Sequence, residues 1–271
     1  MNGAGDLRRR RLRFLRRRKR RRSAVAMSMV EHLAELRTRL VISLLAFVVV
    51  SAVAFALFDP IITFLRGPLC DLPRDKLGPQ GCDLFFTGAL GGFQVRLKVA
   101  AMGGMIFSAP IWLYQLWAFI VPGLHANERR YAVPFVATSV SLFLVGVTAA
   151  YLSLPAGLRF LVGVGGENLV PLFRAEEYLN FVGLMLIAFG IMFELPLVLF
   201  FLGLAGAFTP AQMRTHRKAA LVGICALSAV ITPTQDPFTF VAMAIPLYGL
   251  FELTIVLLGR TLRRKPARES V

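Results

Sequence analysis

Three glutamates stand out in a chain otherwise poor in reactive groupings. Glu194 lies in Phe193-Glu194-Leu195-Pro196, in the middle of an apolar run, where an ionised carboxylate is costly. It reads either as a polar docking point for another helix or a protonatable group, or as one end of an internal helix–helix hydrogen bond. Glu35 sits in the amphipathic stretch His32–Arg39, and Glu128 follows Asn127 at the head of another apolar run. Each has a plain structural account: Glu35 can pair with Arg39 one turn on, and Glu128 can be a first-turn acid behind an Asn127 cap. Together they also make a candidate site for a basic ligand, because guanidinium groups take carboxylates in bidentate geometry. Glu252 reads as an interfacial contact, and Asp236 as a cap or as the acid of a membrane-sunken turn.

Other chemistry is missing. His32, His125 and His216 fall in separate segments without metal-ligand spacing, and no glycine-rich loop is followed by Lys-Ser/Thr. No metal, nucleotide or other cofactor is expected, and no enzymatic activity. Cys70 and Cys82 share one loop; they form a disulfide if that loop faces an oxidising exterior, or remain two free thiols.

The elements that must position these groups are membrane helices. With 56% of its 271 residues hydrophobic, the chain has too little polar surface for a soluble domain, and several runs are long enough to cross a bilayer. Six spans are expected: Leu40–Phe58, Val99–Trp117, Tyr131–Leu154 (ended by Pro155), Phe181–Leu204, Ala219–Ile231 and Phe238–Leu258. The fifth is unusually short. The turn after it, Thr232-Pro233-Thr234-Gln235-Asp236-Pro237, is forced by two prolines. The basic region before span one resembles the start of a signal peptide, but the apolar run is long and further spans follow, so a retained helix is expected. Met27 and Met29 are alternative starts.

The net charge of +16 is concentrated in residues 1–26, which hold twelve Lys and Arg and one acid. Residues 1–28 are expected to be a basic, disordered cytoplasmic arm lying near anionic lipid, not a nucleic-acid-binding surface. Residues 29–259 form the membrane domain and 260–271 a basic cytoplasmic tail. With six spans, 24 of the 31 Lys and Arg lie on the side of the termini, so both termini are expected in the cytoplasm.

Several stretches, in order, resemble the twin-arginine translocase subunit TatC: His32–Leu40 (HLAELRTRL), Ser108–Leu124 (SAPIWLYQLWAFIVPGL), Asn127–Arg130, Phe189–Pro196 (FGIMFELP), the Thr232-Pro233…Asp236 turn and Ala244–Glu252 (AIPLYGLFE). The resemblance covers about Met29 to Gly259. It implies an all-α polytopic scaffold of six helices, concave, with the last two short. It also implies a non-enzymatic receptor and core subunit that binds twin-arginine signal peptides of folded cargo on the cytoplasmic face of the bacterial cytoplasmic membrane and uses the proton-motive force. By resemblance, Glu35 and Glu128 are the signal-binding acids, supported by Arg37, Phe119, Pro122, Arg129 and Arg130. Glu194, Thr232 and Asp236 face small single-span TatA/TatB-type partner subunits, and the chain self-associates in a larger complex. This sequence departs from the family pattern at Phe240, where a glutamine is expected. The alternative from another class is a proton-coupled secondary transporter of a small solute using Glu194; such proteins show internal repeats, and none is visible.

Overall fold

The computed structural model describes residues 29–73, 77, 81–120, 132–166, 171–232 and 236–264. All regular elements among them are helices: α1 (Met29–Ala56), α2 (Phe58–Cys70), α3 (Gly91–Phe107), α4 (Ala109–Ile120), α5 (Ala132–Val164), α6 (Ala175–Met192), α7 (Leu195–Leu204), α8 (Pro210–Thr215), α9 (Arg217–Ile231) and α10 (Pro237–Arg264). Among the described residues, those up to Val41 form one unit and those from Ile42 onward another.

Proline chemistry sets two of the breaks. Pro196 has no N–H and its ring crowds the carbonyl four residues back, at Met192, and Met192 is where α6 stops. The chain passes through Phe193-Glu194 and resumes as α7. Pro110 acts likewise on Ile106: α3 ends at Phe107, α4 starts at Ala109, and the two are bent by 50°. Pro155, expected to end span three, does not. Helix α5 runs on to Val164 because Leu154 and Leu158, on either side of the proline, are both buried in the core. Tertiary packing there outweighs one lost backbone bond.

Four segments are long and apolar enough to cross a membrane: His32–Ala56, Pro134–Val164, Ala175–Leu204 and Pro237–Leu262; the bent pair α3–α4 makes a fifth if it is one span. The protein is therefore an all-α, multi-pass membrane protein. Helix α9, which holds the expected fifth span, has 15 residues, about 22 Å at 1.5 Å per residue, short of a hydrocarbon core of roughly 30 Å. The last helix is not short: α10 has 28 residues and continues past Gly259 into the expected tail.

The core is built around α6. Half of the Ala175–Leu204 window is buried, against 6% for the first span, so most of α1 is left for lipid. Helices α5 and α6 approach closely through two glycines. A Cβ on Gly146 would lie 2.6 Å from the Phe189 carbonyl oxygen, and one on Gly190 would lie 2.6 Å from the Phe143 ring. Small residues of this kind let membrane helices meet at backbone distance.

The expected loop after span one is largely structured. Helix α2 carries it to Cys70, which is joined to Cys82 with Cα atoms 5.0 Å apart. Phe85 then pairs with the start of α6, accepting from Ala175 N at 2.8 Å and donating to Phe173 O at 3.3 Å. Arg66 binds Asp83 at 2.9 Å. The Tyr178 hydroxyl donates to Leu65 O at 2.7 Å and that of Tyr151 to Phe64 O at 2.9 Å. This end of the protein is a braced cap.

Candidate functional site: a polar relay through the membrane core

Glu194 is held at the break between α6 and α7, where the helix cannot close its normal bonds. Its own N–H reaches back to Ile191 O at 3.0 Å, a tightened turn, and its carbonyl accepts from Val198 N at 3.0 Å. The side chain is 8% exposed. Its Oε2 accepts from the Ser139 hydroxyl on α5 at 2.7 Å, and that hydroxyl accepts from the indole N–H of Trp117 on α4 at 2.8 Å. The indole can only donate, so the single serine proton must point at the carboxylate. Three helices are thus tied by one directional chain, Trp117 to Ser139 to Glu194.

Aromatic packing excludes water from this relay. Trp117 and Phe201 are buried with Leu197, and Phe135 packs against them. Trp117 lies 5.0 Å from the Phe135 ring centroid and 5.5 Å from Phe201. The second carboxylate oxygen, Oε1, is buried with no hydrogen-bond partner among the described residues. A buried acceptor left open is costly, so Glu194 carries more hydrogen-bonding capacity than the fold uses. Both readings of Glu194 bear on what is found: one oxygen makes the internal helix–helix bond, and the other is unspent.

The remaining expected residues are spread over other elements. Thr232, 4% exposed, donates to Ser228 O at 2.8 Å. Asp236, 5% exposed, accepts from Thr239 N at 2.8 Å and so caps α10 ahead of Pro237. Glu252 accepts from Arg217 at 2.7 Å and from the Tyr248 hydroxyl at 3.2 Å, joining α9 to α10. Within the first unit, Glu35 Oε1 takes both Nε and Nη2 of Arg39, at 3.0 and 2.5 Å, while Oε2 is buried with no hydrogen-bond partner among the described residues. Arg37 is exposed, and Phe119 is half-buried near the end of α4. Glu128, Pro122, Arg129 and Arg130 lie outside the described residues, as do His125, Pro233 and residues 1–28 and 265–271. No cluster of His, Cys, Asp and Glu suited to a metal ion occurs among the described residues.

Ser139 escaped the sequence reading. Its one signal is a hydroxyl in an apolar helix, and Ser141 and Thr138 beside it carry the same signal but only bond back to their own helix, at Ala137 O and Pro134 O. Trp117 belonged to a recognised stretch, without an assigned partner.

The family model described as "Sec-independent protein translocase protein (TatC)" matches residues 31–246. The chain belongs to the TatC family. A TatC of Frankia casuarinae is 43% identical over 238 residues, covering 85% of this chain and 65% of that protein. A TatC of Aquifex aeolicus is 37% identical over 242 residues, covering 88% and 97%. The chain spans less than two thirds of the length of the Frankia relative, and 60% of a Corynebacterium kroppenstedtii TatC that is 34% identical. Among solved structures, a crystal structure of the "Twin Arginine Translocase Receptor- TatC" superposes with a TM-score of 0.70 at 36% identity, covering 86% of this chain and all of the other. These findings give the solute-transporter alternative no support, since the family and the relatives named are protein translocase components.

Proposed function

We propose that this TatC-family chain is the receptor and core subunit of a twin-arginine protein translocase. It binds consecutive arginines of cargo signal peptides on the cytoplasmic face and helps move folded proteins across the bacterial cytoplasmic membrane, driven by the proton-motive force. The observation that carries the reading is likeness along the full length of a solved chain described as the Twin Arginine Translocase Receptor. Glu35 and Glu128 are the acids for the arginines, with Arg37, Phe119, Pro122, Arg129 and Arg130 around them. The support from Glu35 is that its buried Oε2 has no hydrogen-bond partner among the described residues: side-chain rotation, or displacement of Arg39 from Oε1, opens the carboxylate to a ligand guanidinium.

Both termini are cytoplasmic, on the positive-inside argument, and the disulfide-bearing cap then faces the oxidising exterior. Single-span TatA/TatB-type helices dock near Glu194, Thr232 and Asp236, the support being the unspent Oε1 of Glu194. Copies of the chain associate in a larger complex. No nucleotide or cofactor takes part.

The test is binding of a fluorescent twin-arginine signal peptide to the purified full chain, with a lysine-lysine peptide as control. Glu35→Ala and Glu128→Ala should each weaken binding about tenfold or more, the loss expected for a hydrogen bond to a charged group. Equal binding by all three proteins, or equal binding of both peptides, would refute the assignment.

A further inference from the structure

Helices α8 and α10 enclose a groove of about 540 Å³ at the end of the last span. Its walls include Pro210 and Arg214 from α8, and Val256, Gly259, Arg260 and Leu262 from α10. The groove is preformed. Thr209 and Gln212 close a capping box at the start of α8, and Met213 anchors that helix among Phe251, Ile255 and Leu258 of α10. At Gly259 no side chain fills the gap: a Cβ there would stand 4.0 Å from the Pro210 Cβ, an ordinary contact.

The charge of the groove is one-sided. Among the described residues Arg214 and Arg260 both line it, no acidic residue does, and neither guanidinium has a hydrogen-bond or ion-pair partner. The nearby carboxylate, Glu252, is already taken by Arg217 and Tyr248. Two uncompensated guanidiniums facing one cleft call for an anion with several acceptor oxygens. The apolar surroundings say what carries that anion. Leu253, Val256 and Leu257 are 49%, 40% and 44% exposed and precede Arg260 by seven, four and three residues, so all lie on one helix face. That face lies within a membrane-length helix, and Arg260 stands at its end. A soluble phosphate would leave this apolar track unused.

We propose that the α8–α10 groove binds one anionic glycerophospholipid, its phosphate held between Arg214 and Arg260 and an acyl chain lying along Leu253, Val256 and Leu257. The site is independent of signal-peptide recognition and stands or falls separately from it.

The experiment is native mass spectrometry of the delipidated full chain titrated with phosphatidylglycerol, with phosphatidylcholine and with glycerol 3-phosphate. The first phosphatidylglycerol should bind at least about tenfold more tightly than phosphatidylcholine. Arg214→Gln and Arg260→Gln should each weaken it about fivefold, the effect of one basic residue near anionic lipid. Gly259→Leu, which fills the groove without changing charge, should remove the first adduct; Lys218→Gln, an exposed cation outside the groove, should leave it intact. Thermal melting in detergent checks that each variant is folded. The proposal is overturned if the arginine variants bind like wild type, if phosphatidylcholine binds equally well, if Lys218→Gln loses as much as Arg260→Gln, or if glycerol 3-phosphate competes as effectively as the intact lipid.

Discussion

Ser139→Ala is the sharpest probe of the relay at the centre of this protein. The hydroxyl is fully buried and makes two bonds, 2.7 Å to Glu194 Oε2 and 2.8 Å from Trp117 Nε1. Alanine strands a carboxylate oxygen and an indole N–H together while removing one atom, so cavity formation is a minor cost. In a water-soluble protein the two stranded groups would cost about 1–3 kcal/mol each. Between membrane helices the measured average is lower, roughly 0.6 and at most about 1.7 kcal/mol per bond, because the unfolded chain in the bilayer finds other partners. Two bonds therefore predict a loss of about 1–3 kcal/mol. The assay is reversible unfolding in mixed micelles titrated with SDS. A cycle with Trp117→Phe should show a coupling of about 0.6–1.7 kcal/mol. A Ser139→Ala protein within about 0.3 kcal/mol of wild type, with an additive cycle, would show that the three side chains are neighbours and not a connected network.

Two further outcomes follow from the packing and the cap. Gly146→Ala should destabilise by about 1–3 kcal/mol, because the new methyl meets the Phe189 backbone carbonyl, which cannot yield; Gly183→Ala should cost less, because its methyl meets the flexible Met102 side chain. The same SDS titration ranks the two, and the reverse order would contradict the α5–α6 contact. Opening the Cys70–Cys82 bond, which spans 12 positions, should cost about 3 kcal/mol by the loop-entropy account. In intact cells a membrane-impermeant phosphine should free both thiols for maleimide labelling; labelling only after lysis would place the cap on the cytoplasmic side and reverse the orientation.

The sequence by itself determined what depends on one segment and its solvent. Whether a run of residues crosses a bilayer is a transfer free energy summed along that run, so the four long apolar helices were legible. The short α9 was legible too. Glu194 was conspicuous for the same local reason, a carboxylate in an apolar run. Val99–Trp117 and Phe181–Leu204 read as single spans in the sequence, and the breaks at Pro110 and Pro196 emerged only in the folded chain.

Only the tertiary structure decided how distant segments meet. Ser139 and Glu194 are 55 positions apart and Trp117 and Ser139 22, and nothing in the local pattern separates Ser139 from Ser141. The persistence of α5 through Pro155 came from Leu154 and Leu158 packing into the core, a cooperative gain that no propensity contains. The cysteine spacing left disulfide and free thiols equally open until α2 and the strand-like pairing of Phe85 with the head of α6 set the two Cα atoms 5.0 Å apart. The convergence of Arg214 and Arg260 on one groove required α8 to pack back against α10. Local transfer energies choose the helices, and contacts between distant residues choose which polar groups face one another.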